Sequence, residues 1–195
     1  SNSIKVPSFK IKPMNKIIIL AVFAFFASAA SAQKYMTKTG KISFFSKTKV
    51  EDISATNTSI SSIIDASTGD MKFVGLMKSF KFPKPLMEEH FNENYVESDK
   101  FPKTTFAGKI TNVSEVNFSK DGKYPVQVAG ILEIHGVKKN VESKGTLTVK
   151  GSTLSADAKF SVLLSDYNII IPTAVKGTIN NSIEITVDVD YSKAP

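Results

Sequence analysis

Two histidines, His90 and His135, are the side chains of this sequence best suited to acid–base chemistry or metal binding. Each has carboxylates nearby in sequence, because Glu88 and Glu89 precede His90 and Glu133 precedes His135. A metal centre would need a third or fourth ligand, and the sequence has no further histidine, no cysteine and no HExxH motif. We therefore expect both histidines to be structural, and we predict no metal site.

Groups for catalysis are equally sparse. The adjacent carboxylates Glu88 and Glu89 would not face each other on a helix, and a place in its first turn suits negative charge without any catalytic role. The sequence has no G-x-S-x-G elbow, no P-loop and no G-x-G-x-x-G. We expect no catalytic residues, and therefore a protein that is not an enzyme.

The amino-acid composition further narrows the class of protein. The chain has 195 residues, of which 42% are hydrophobic, enough for one domain with a substantial core. All 25 basic residues are lysines, and the absence of arginine argues against nucleic-acid or phosphate recognition. Without cysteine there is no disulfide, no thiolate metal site and no thiol nucleophile.

The N-terminal region has the features of an export signal. A short basic start at Met14 is followed by a continuous apolar run over 17–27 and by the small-residue site 30–32. The run is too short for a transmembrane helix, and no later stretch would span a bilayer. We interpret 1–32 as an upstream extension plus a signal peptide cleaved after Ala32, and 33–195 as the folded domain of an exported protein, either periplasmic or secreted.

The remaining sequence has the period-two alternation of β-strands. Apolar and polar residues alternate most regularly over 153–164 and 183–191, which indicates one buried and one wet face. Short strands are predicted over 35–39, 41–47, 50–56 and 59–64, and longer ones after them. Eight to ten antiparallel strands with short turns predict an all-β sandwich or up-and-down barrel. We favour the barrel, because closure removes exposed strand edges.

One stretch, 80–108, departs from this alternation. After Pro83 and Pro85 comes a short helical pattern near the middle of the chain, and a new strand begins near Thr104. Its candidate apolar positions are Leu86, Met87, His90 and Phe91. A connection with its own hydrophobic content would close the end of a barrel or the mouth of a cavity.

A barrel of about eight strands either fills with side chains or holds one small ligand. Small residues on apolar faces leave room, and phenylalanines on neighbouring strands would line an apolar tunnel suited to a hydrocarbon chain. The alternative is a core filled by side chains, in a barrel that serves as an interaction or structural module. The predicted lining comprises Phe44, Phe73, Gly75, Phe80, Phe82, Phe91, Phe106, Gly130, Leu132, Ile134, Ala156, Ala158, Phe160 and Val162.

Four segments in order resemble the YceI-like family of secreted lipid- or polyisoprenoid-binding barrels. They are LMEEHFNENY over 86–95, FPKTTFAG over 101–108, GILEIHGVKK over 130–139 and DYNIIIP over 166–172. The resemblance spans 34–191. It implies an extended, lipocalin-like, eight-stranded antiparallel barrel, with a helical connection near its middle and a deep apolar cavity for an isoprenoid or other long-chain amphiphile.

The resemblance also implies what accompanies the fold. A bound lipid (an isoprenoid, a quinone or a fatty-acyl chain) is expected in place of a cofactor, and an amphiphile is the expected partner.

At the end of a strand, His135 and Gly136 are expected to form a turn that His135 fixes by hydrogen bonding. The oligomeric state stays open, with a dimer as one option.

Overall fold

The computed structural model describes residues 33–48, 52–173 and 179–195. The predicted leader, 1–32, lies outside these ranges. Within them, no helix is long and apolar enough to cross a membrane. The elements in chain order are β1 (Lys34–Ser46), β2 (Ile53–Asp65), β3 (Asp70–Leu76), a 3₁₀ turn (Met77–Ser79), α1 (Pro85–His90), a π-helical turn (Phe91–Tyr95), β4 (Lys103–Ile110), a 3₁₀ turn (Val113–Glu115), β5 (Gly122–Ile134), β6 (Val137–Lys150), β7 (Thr153–Leu163), a 3₁₀ turn (Leu164–Tyr167) and β8 (Ser182–Lys193).

The strands form one closed antiparallel barrel in sequence order, with β8 returning to pair with β1. This confirms the predicted all-β, eight-stranded up-and-down barrel with one short helix. Closure gives every strand two neighbours, although the β2–β3 ladder covers only Ser61–Ile64 of β2 and the β6–β7 ladder covers only Gly145–Lys150 of β6. The longest ladder joins β5 and β6, from Gly122 opposite Val149 to Ile134 opposite Val137.

The first strands are longer than the sequence pattern predicted. The stretches 35–39 and 41–47 are both parts of β1, which has register shifts on either side of Gly40. A side chain there would crowd both methyl groups of Val189, at 3.1 Å. Likewise β2 runs through Asn57, whose side chain is fully buried and donates to the Leu76 carbonyl at 3.0 Å. Gly40 and Asn57 fall between the predicted strands, but the structure accommodates both within β1 and β2.

The two ends of the barrel differ. At one end of the barrel, which we call the plug end, lie the connections β2–β3, β4–β5 and β6–β7. The start of β1 and the end of β8 lie at the same end. A cluster of buried side chains fills it. The connections β1–β2, β3–β4, β5–β6 and β7–β8 meet at the opposite end, which we call the lid end. The longest described connection, 77–102, contains α1 and covers the lid end; we call it the lid segment. The buried plug residues are Tyr35, Ile64, Met71, Ile110, Val116, Val126, Leu147, Val149, Leu154, Ala156, Val189 and Tyr191.

A hydrogen-bonded pair anchors the plug end. Ser62 and Tyr191 are both buried, and their hydroxyl oxygens lie 2.8 Å apart. Because Ser62 Oγ donates to the Lys72 carbonyl at 2.9 Å, the Tyr191 hydroxyl donates to Ser62. Burial raises the pKa of Tyr191 well above its usual range. The phenol therefore stays protonated, and its donor is satisfied inside the plug.

Candidate ligand-binding cavity

The interior of the barrel encloses a cavity of about 500 Å³. This volume lies in the range of pockets that bury one small molecule. The wall is mainly apolar, because inward positions of successive strands carry Ile, Val, Leu, Met and Phe. His90 lines the cavity and is also solvent-exposed, which indicates that the cavity opens beside α1 at the lid end. The space argues against a barrel filled by its own side chains.

Most of the predicted lining residues lie together on this wall. Their strand parity placed them inward, and the closed barrel brings the separate strands around one space. Whether they contact a ligand stays a prediction. The wall includes Phe44, Phe73, Gly75, Phe80, Phe82, Phe91, Phe106, Leu132, Ile134, Ala156, Ala158, Phe160 and Val162.

Gly130 is the exception among the predicted lining residues. It pairs across β4–β5 with Gly108, and a Cβ at Gly130 would lie 2.5 Å from the Gly108 Cα and 2.7 Å from the Phe106 ring. The ring of Phe106 therefore lies over this glycine pair. Gly130 makes room for an aromatic side chain of the wall, and the expectation that it opens space for a ligand was wrong.

Four phenylalanines form an aromatic cluster at the lid end. Phe44 of β1 lies 5.5 Å from Phe80, 5.7 Å from Phe82 and 5.5 Å from Phe91, between ring centroids. Phe91 also lies 6.0 Å from Phe80 and 5.0 Å from Phe82. These distances are typical of favourable aromatic pairs. Phe91 is the one ring of the four from the helical part of the lid segment, so it attaches that part to the barrel.

An ion pair supports the same attachment. Glu88 in the first turn of α1 accepts from Lys81 Nζ at 2.5 Å and from the Phe82 backbone N–H at 3.3 Å. The Lys81 hydrogen bond is the main reason that the pKa of Glu88 is lowered. Met87, His90 and Phe91 line the cavity as the helical pattern predicted, but Leu86 is 60% exposed and was wrongly expected on the apolar face.

His135 joins three connections at the lid end. It forms the two-residue β5–β6 turn with Gly136, and both have left-handed backbone, with φ of 53° and 72°. Its side-chain bonds leave that turn: Nδ1 lies 3.0 Å from the Tyr167 carbonyl and Nε2 lies 2.7 Å from Glu97 Oε2. The Phe101 ring packs edge-on against the imidazole at 4.6 Å. His135 thus fixes more than its own turn.

Metal-binding groups are dispersed in the part of the chain that the structure describes, where no three His, Asp or Glu side chains are grouped as ligands. The imidazole of His135 is engaged by Glu97 and the Tyr167 carbonyl, whereas His90 lies on α1. Its mainly apolar wall makes the cavity suited to binding an apolar molecule.

Most polar residues of the described wall carry a hydroxyl group. They include Tyr95 and Tyr167, and burial is the main cause that raises the pKa of each phenol. Asp157 borders the cavity, but it is exposed and lies between the inward residues Ala156 and Ala158, so alternation directs its carboxylate outward. The further polar wall residues are Ser46, Thr48, His90, Thr104, Thr105, Ser143 and Thr146.

Several wall residues were not singled out from the sequence. For Ile42, Ile183 and Ile185 the signal was present, because each shares strand parity with its inward neighbours. For Tyr167 and Ile169 it was not. They follow β7 in a 3₁₀ turn and the chain after it, where alternation no longer applies, yet both are buried against the lid-end cluster.

An eight-stranded antiparallel barrel around one apolar cavity defines the lipocalin-like class of small binding barrels. Within that class, the family model of the YceI-like domain matches residues 26–191, and the chain belongs to that family. The resemblance over 34–191 is thereby confirmed.

Solved structures share the fold at low sequence identity. A polyisoprenoid binding domain from Saccharophagus degradans, implicated in plant cell wall breakdown, is 13% identical with a TM-score of 0.72, over 83% of this chain and 98% of that one. BcnA of Burkholderia cenocepacia is 17% identical with a TM-score of 0.65, over 77% and 95%. The Campylobacter jejuni YceI protein is 12% identical with a TM-score of 0.52, over 98% and 94%. None of the curated proteins compared with this chain matches it.

Proposed function

We propose that this protein is an exported, non-catalytic carrier that holds one long-chain amphiphile in its barrel. The cavity of about 500 Å³ supports this most directly, because it is enclosed by apolar side chains from all around the barrel. Burying a hydrocarbon tail there contributes about 25 cal/mol per Å² of apolar area. The structural neighbour described as a polyisoprenoid binding domain makes an isoprenoid the first ligand to test, with quinones and fatty-acyl chains next.

Export belongs to the same proposal. The basic start, apolar run and small-residue site over 14–32 have the order of a secretory signal. Expression of the full sequence in a bacterial host should give a mature protein that begins at Gln33 and is found outside the cytoplasm. Intact mass and cell fractionation check this, and a chain that keeps 1–32 in the cytoplasm would contradict export.

The carrier function is tested by native mass spectrometry of protein purified without detergent, followed by extraction and lipid analysis. We expect a discrete added mass that resolves to a long-chain amphiphile, or uptake of one from prenyl and fatty-acyl lipids. An apo mass that persists after these incubations would contradict a carrier and favour an interaction module.

A matched pair of variants locates the ligand. Ala158→Phe places a ring on the inner face of β7 and should abolish the added mass with the fold intact. Ser161→Phe places the same ring on the exposed outer face of that strand and should leave it unchanged. Equal binding by both variants would place the ligand outside the barrel.

A further inference from the structure

We propose that the lid end of the barrel docks on the surface of a phospholipid bilayer, with outward-facing apolar side chains inserted at the level of the lipid head groups. The contact is peripheral, because the barrel stands end-on and its cavity opening faces the membrane. This rests on the proposed carrier function and names the surface on which the carrier exchanges its cargo.

The placement of the exposed apolar side chains is the first observation. Single exposed hydrophobic residues are normal on a protein surface, so the information lies in where they are. In the described ranges, every exposed large hydrophobic side chain lies in the lid half of the barrel, and the plug half has none. The set comprises Phe45, Val74, Leu76, Leu86, Ile131, Leu163 and Ile170.

Five of these side chains point outward from the barrel wall. In β1 and β7, Phe45 and Leu163 directly follow Phe44 and Val162, which line the cavity, so alternation turns them to the outer surface. The same alternation turns the exposed residues of β3 and β5 outward. We call the five strand residues the rim: Phe45, Val74, Leu76, Ile131 and Leu163.

The rim encircles the barrel. Its residues lie on β1, β3, β5 and β7, which are alternate strands of a closed barrel whose strands follow sequence order. A protein partner, or a second copy of this chain, would cover only the strands on its own side. A lipid layer that the barrel enters end-on surrounds it and contacts every rim side chain at once. The arrangement therefore favours a membrane surface over a protein.

The height of the rim matches the depth of an interfacial contact. Leu76 and Leu163 are the last residues of their strands, and Ile131, the most distant, lies three residues before the end of β5. At about 3.3 Å per residue, the rim lies within roughly 10 Å of the strand ends. Peripheral apolar side chains reach about 5–10 Å into the boundary between head groups and acyl chains. A shallow insertion thus buries the rim and leaves the plug half in water.

Two further residues extend the apolar surface beyond the strand ends. Leu86 on α1 is 60% exposed, and Ile170 in the β7–β8 connection is 80% exposed. Both belong to lid-end connections, and the cavity opens beside α1. Docking by this end places the opening against the bilayer, so that an apolar cargo passes between lipid and cavity without crossing water.

The charge of the lid segment determines which lipid to test. Residues 77–102 contain four lysines and five carboxylate side chains. Ion pairs among them join Lys81 to Glu88 and Lys78 to Asp99. This surface has no excess of positive charge to attract anionic lipids. We therefore expect docking on a zwitterionic membrane, with little dependence on salt.

The test is flotation of the delipidated mature protein with phosphatidylcholine vesicles, at about 0.1 M and about 1 M NaCl. The wild type should float with the vesicles at both salt concentrations. Because several side chains share the contact, the loss of one should change binding little, so the test variant combines Leu76→Thr, Leu163→Thr and Ile170→Thr. Threonine suits exposed strand positions, so the barrel should fold, and the partition coefficient should fall about tenfold or more.

A fluorescent label locates the contact. The sequence has no cysteine, so one introduced cysteine takes the label. An NBD label on Leu163→Cys, at the lid end of β7, should shift its emission to the blue when vesicles are added. It should also be quenched by phosphatidylcholine that carries a nitroxide near the head of its acyl chain. Thr153→Cys is the matched control, outward-facing and exposed at the plug end of the same strand, and should show neither effect.

The outcomes separate this inference from the carrier function. Three results overturn end-on docking: a wild type that does not float, full binding by the triple variant, or equal responses of the two labels. A dimer in sedimentation that the triple variant dissociates also overturns it, because the rim would then bind a second copy. Each of these leaves cargo uptake, which native mass spectrometry measures without a membrane, as it stands. Vesicle binding without uptake of any cargo overturns the carrier function and leaves a docking surface with no cargo to exchange.

Discussion

The imidazole Nε2 of His135 lies 2.7 Å from Glu97 Oε2, and both residues have left-handed backbone, with φ of 53° and 44°. A non-glycine residue in this region loses roughly 1–2 kcal/mol of backbone energy. The hydrogen bond therefore joins two strained turns, one in the β5–β6 connection and one in the lid segment. Together with the His135 contact to the Tyr167 carbonyl, it links three of the connections at the lid end.

This contact predicts a loss of stability in acid. The His135 hydrogen bond, the largest cause, lowers the pKa of Glu97, and Lys100, whose Nζ is 3.9 Å from Glu97 Oε1, adds to it. Because the folded-state pKa is depressed, the stabilisation is complete above the usual range for a glutamate and is lost as the pH falls through the folded value. The free energy of unfolding, measured in urea across acid pH, should therefore decrease less for Glu97→Gln than for the wild type.

Glu142→Gln is the matched control, because Glu142 is exposed on β6, away from His135. Its pH profile should follow that of the wild type. If Glu97→Gln keeps the same acid dependence as the wild type, the His135 contact does not perturb the carboxylate in solution.

A second prediction concerns the glycine pair beneath Phe106. A Cβ on Gly130 would lie 2.6 Å from the Ala107 carbonyl oxygen as well as against the Phe106 ring, and backbone atoms cannot move aside cheaply. Gly130→Ala should therefore destabilise the protein by about 1–3 kcal/mol, the usual cost of overpacking. Gly122→Ala is the control. Its Cβ would meet only ordinary contacts with Tyr124, at 3.4 Å or more, and its effect should stay within about 1 kcal/mol. Equal losses of stability in the two variants would show that the surrounding structure shifts to relieve the crowding at Gly130.

The two buried tyrosines Tyr167 and Tyr191 should respond oppositely to the same change. Tyr191 donates to Ser62, so Tyr191→Phe should cost about 1 kcal/mol. The Tyr167 hydroxyl has no partner among the described residues, so Tyr167→Phe should be neutral or stabilising in the ligand-free protein. Thermal and urea unfolding of delipidated protein measure both. A loss at Tyr167 as large as that at Tyr191 would mean that its hydroxyl is satisfied in solution.

The barrel could be predicted because its strands carry a two-residue hydrophobic period. On β5, the series Val126, Val128, Leu132 and Ile134 alternates with outward residues, and each of the four lines the cavity. Parity could not give strand bounds where tertiary contacts override local signals. Gly40 and Asn57 fall between the predicted strands, yet β1 and β2 continue through them, because Gly40 packs against Val189 and Asn57 donates to the Leu76 carbonyl.

The lining of the candidate site was less predictable at positions where contacts with neighbouring side chains determine whether a residue faces the cavity. Gly130 has inward parity, but the Phe106 ring occupies the space beside it. The position of that ring depends on the register between β4 and β5, which no local sequence pattern gives. Leu86 has the spacing of an apolar helix face, yet α1 is only six residues long and turns that residue to solvent. Tyr167 lies in an irregular connection where periodicity carries no information.

The last prediction concerns the lid segment. Phe91 contacts the rings of Phe44, Phe80 and Phe82 and is half-buried at the cavity opening. Truncation to alanine removes these ring contacts. Phe91→Ala should cost about 2 kcal/mol, less than a fully buried phenylalanine, and should release a bound prenyl ligand several times faster, because α1 is held to the barrel more weakly. Unfolding in urea and ligand transfer to acceptor vesicles measure the two effects.

Leu86→Ala tests whether the ring contacts, and not helix content, hold the lid segment. Leu86 lies on the same helix but is 60% exposed, and alanine is the better helix former, so stability should change by less than about 0.5 kcal/mol. Ligand release should then match that of the wild type. If both variants speed release equally, exchange depends on the helix itself. If neither does, the ligand leaves by a route that does not pass the lid segment, since loss of the Phe91 contacts would otherwise widen the opening beside α1.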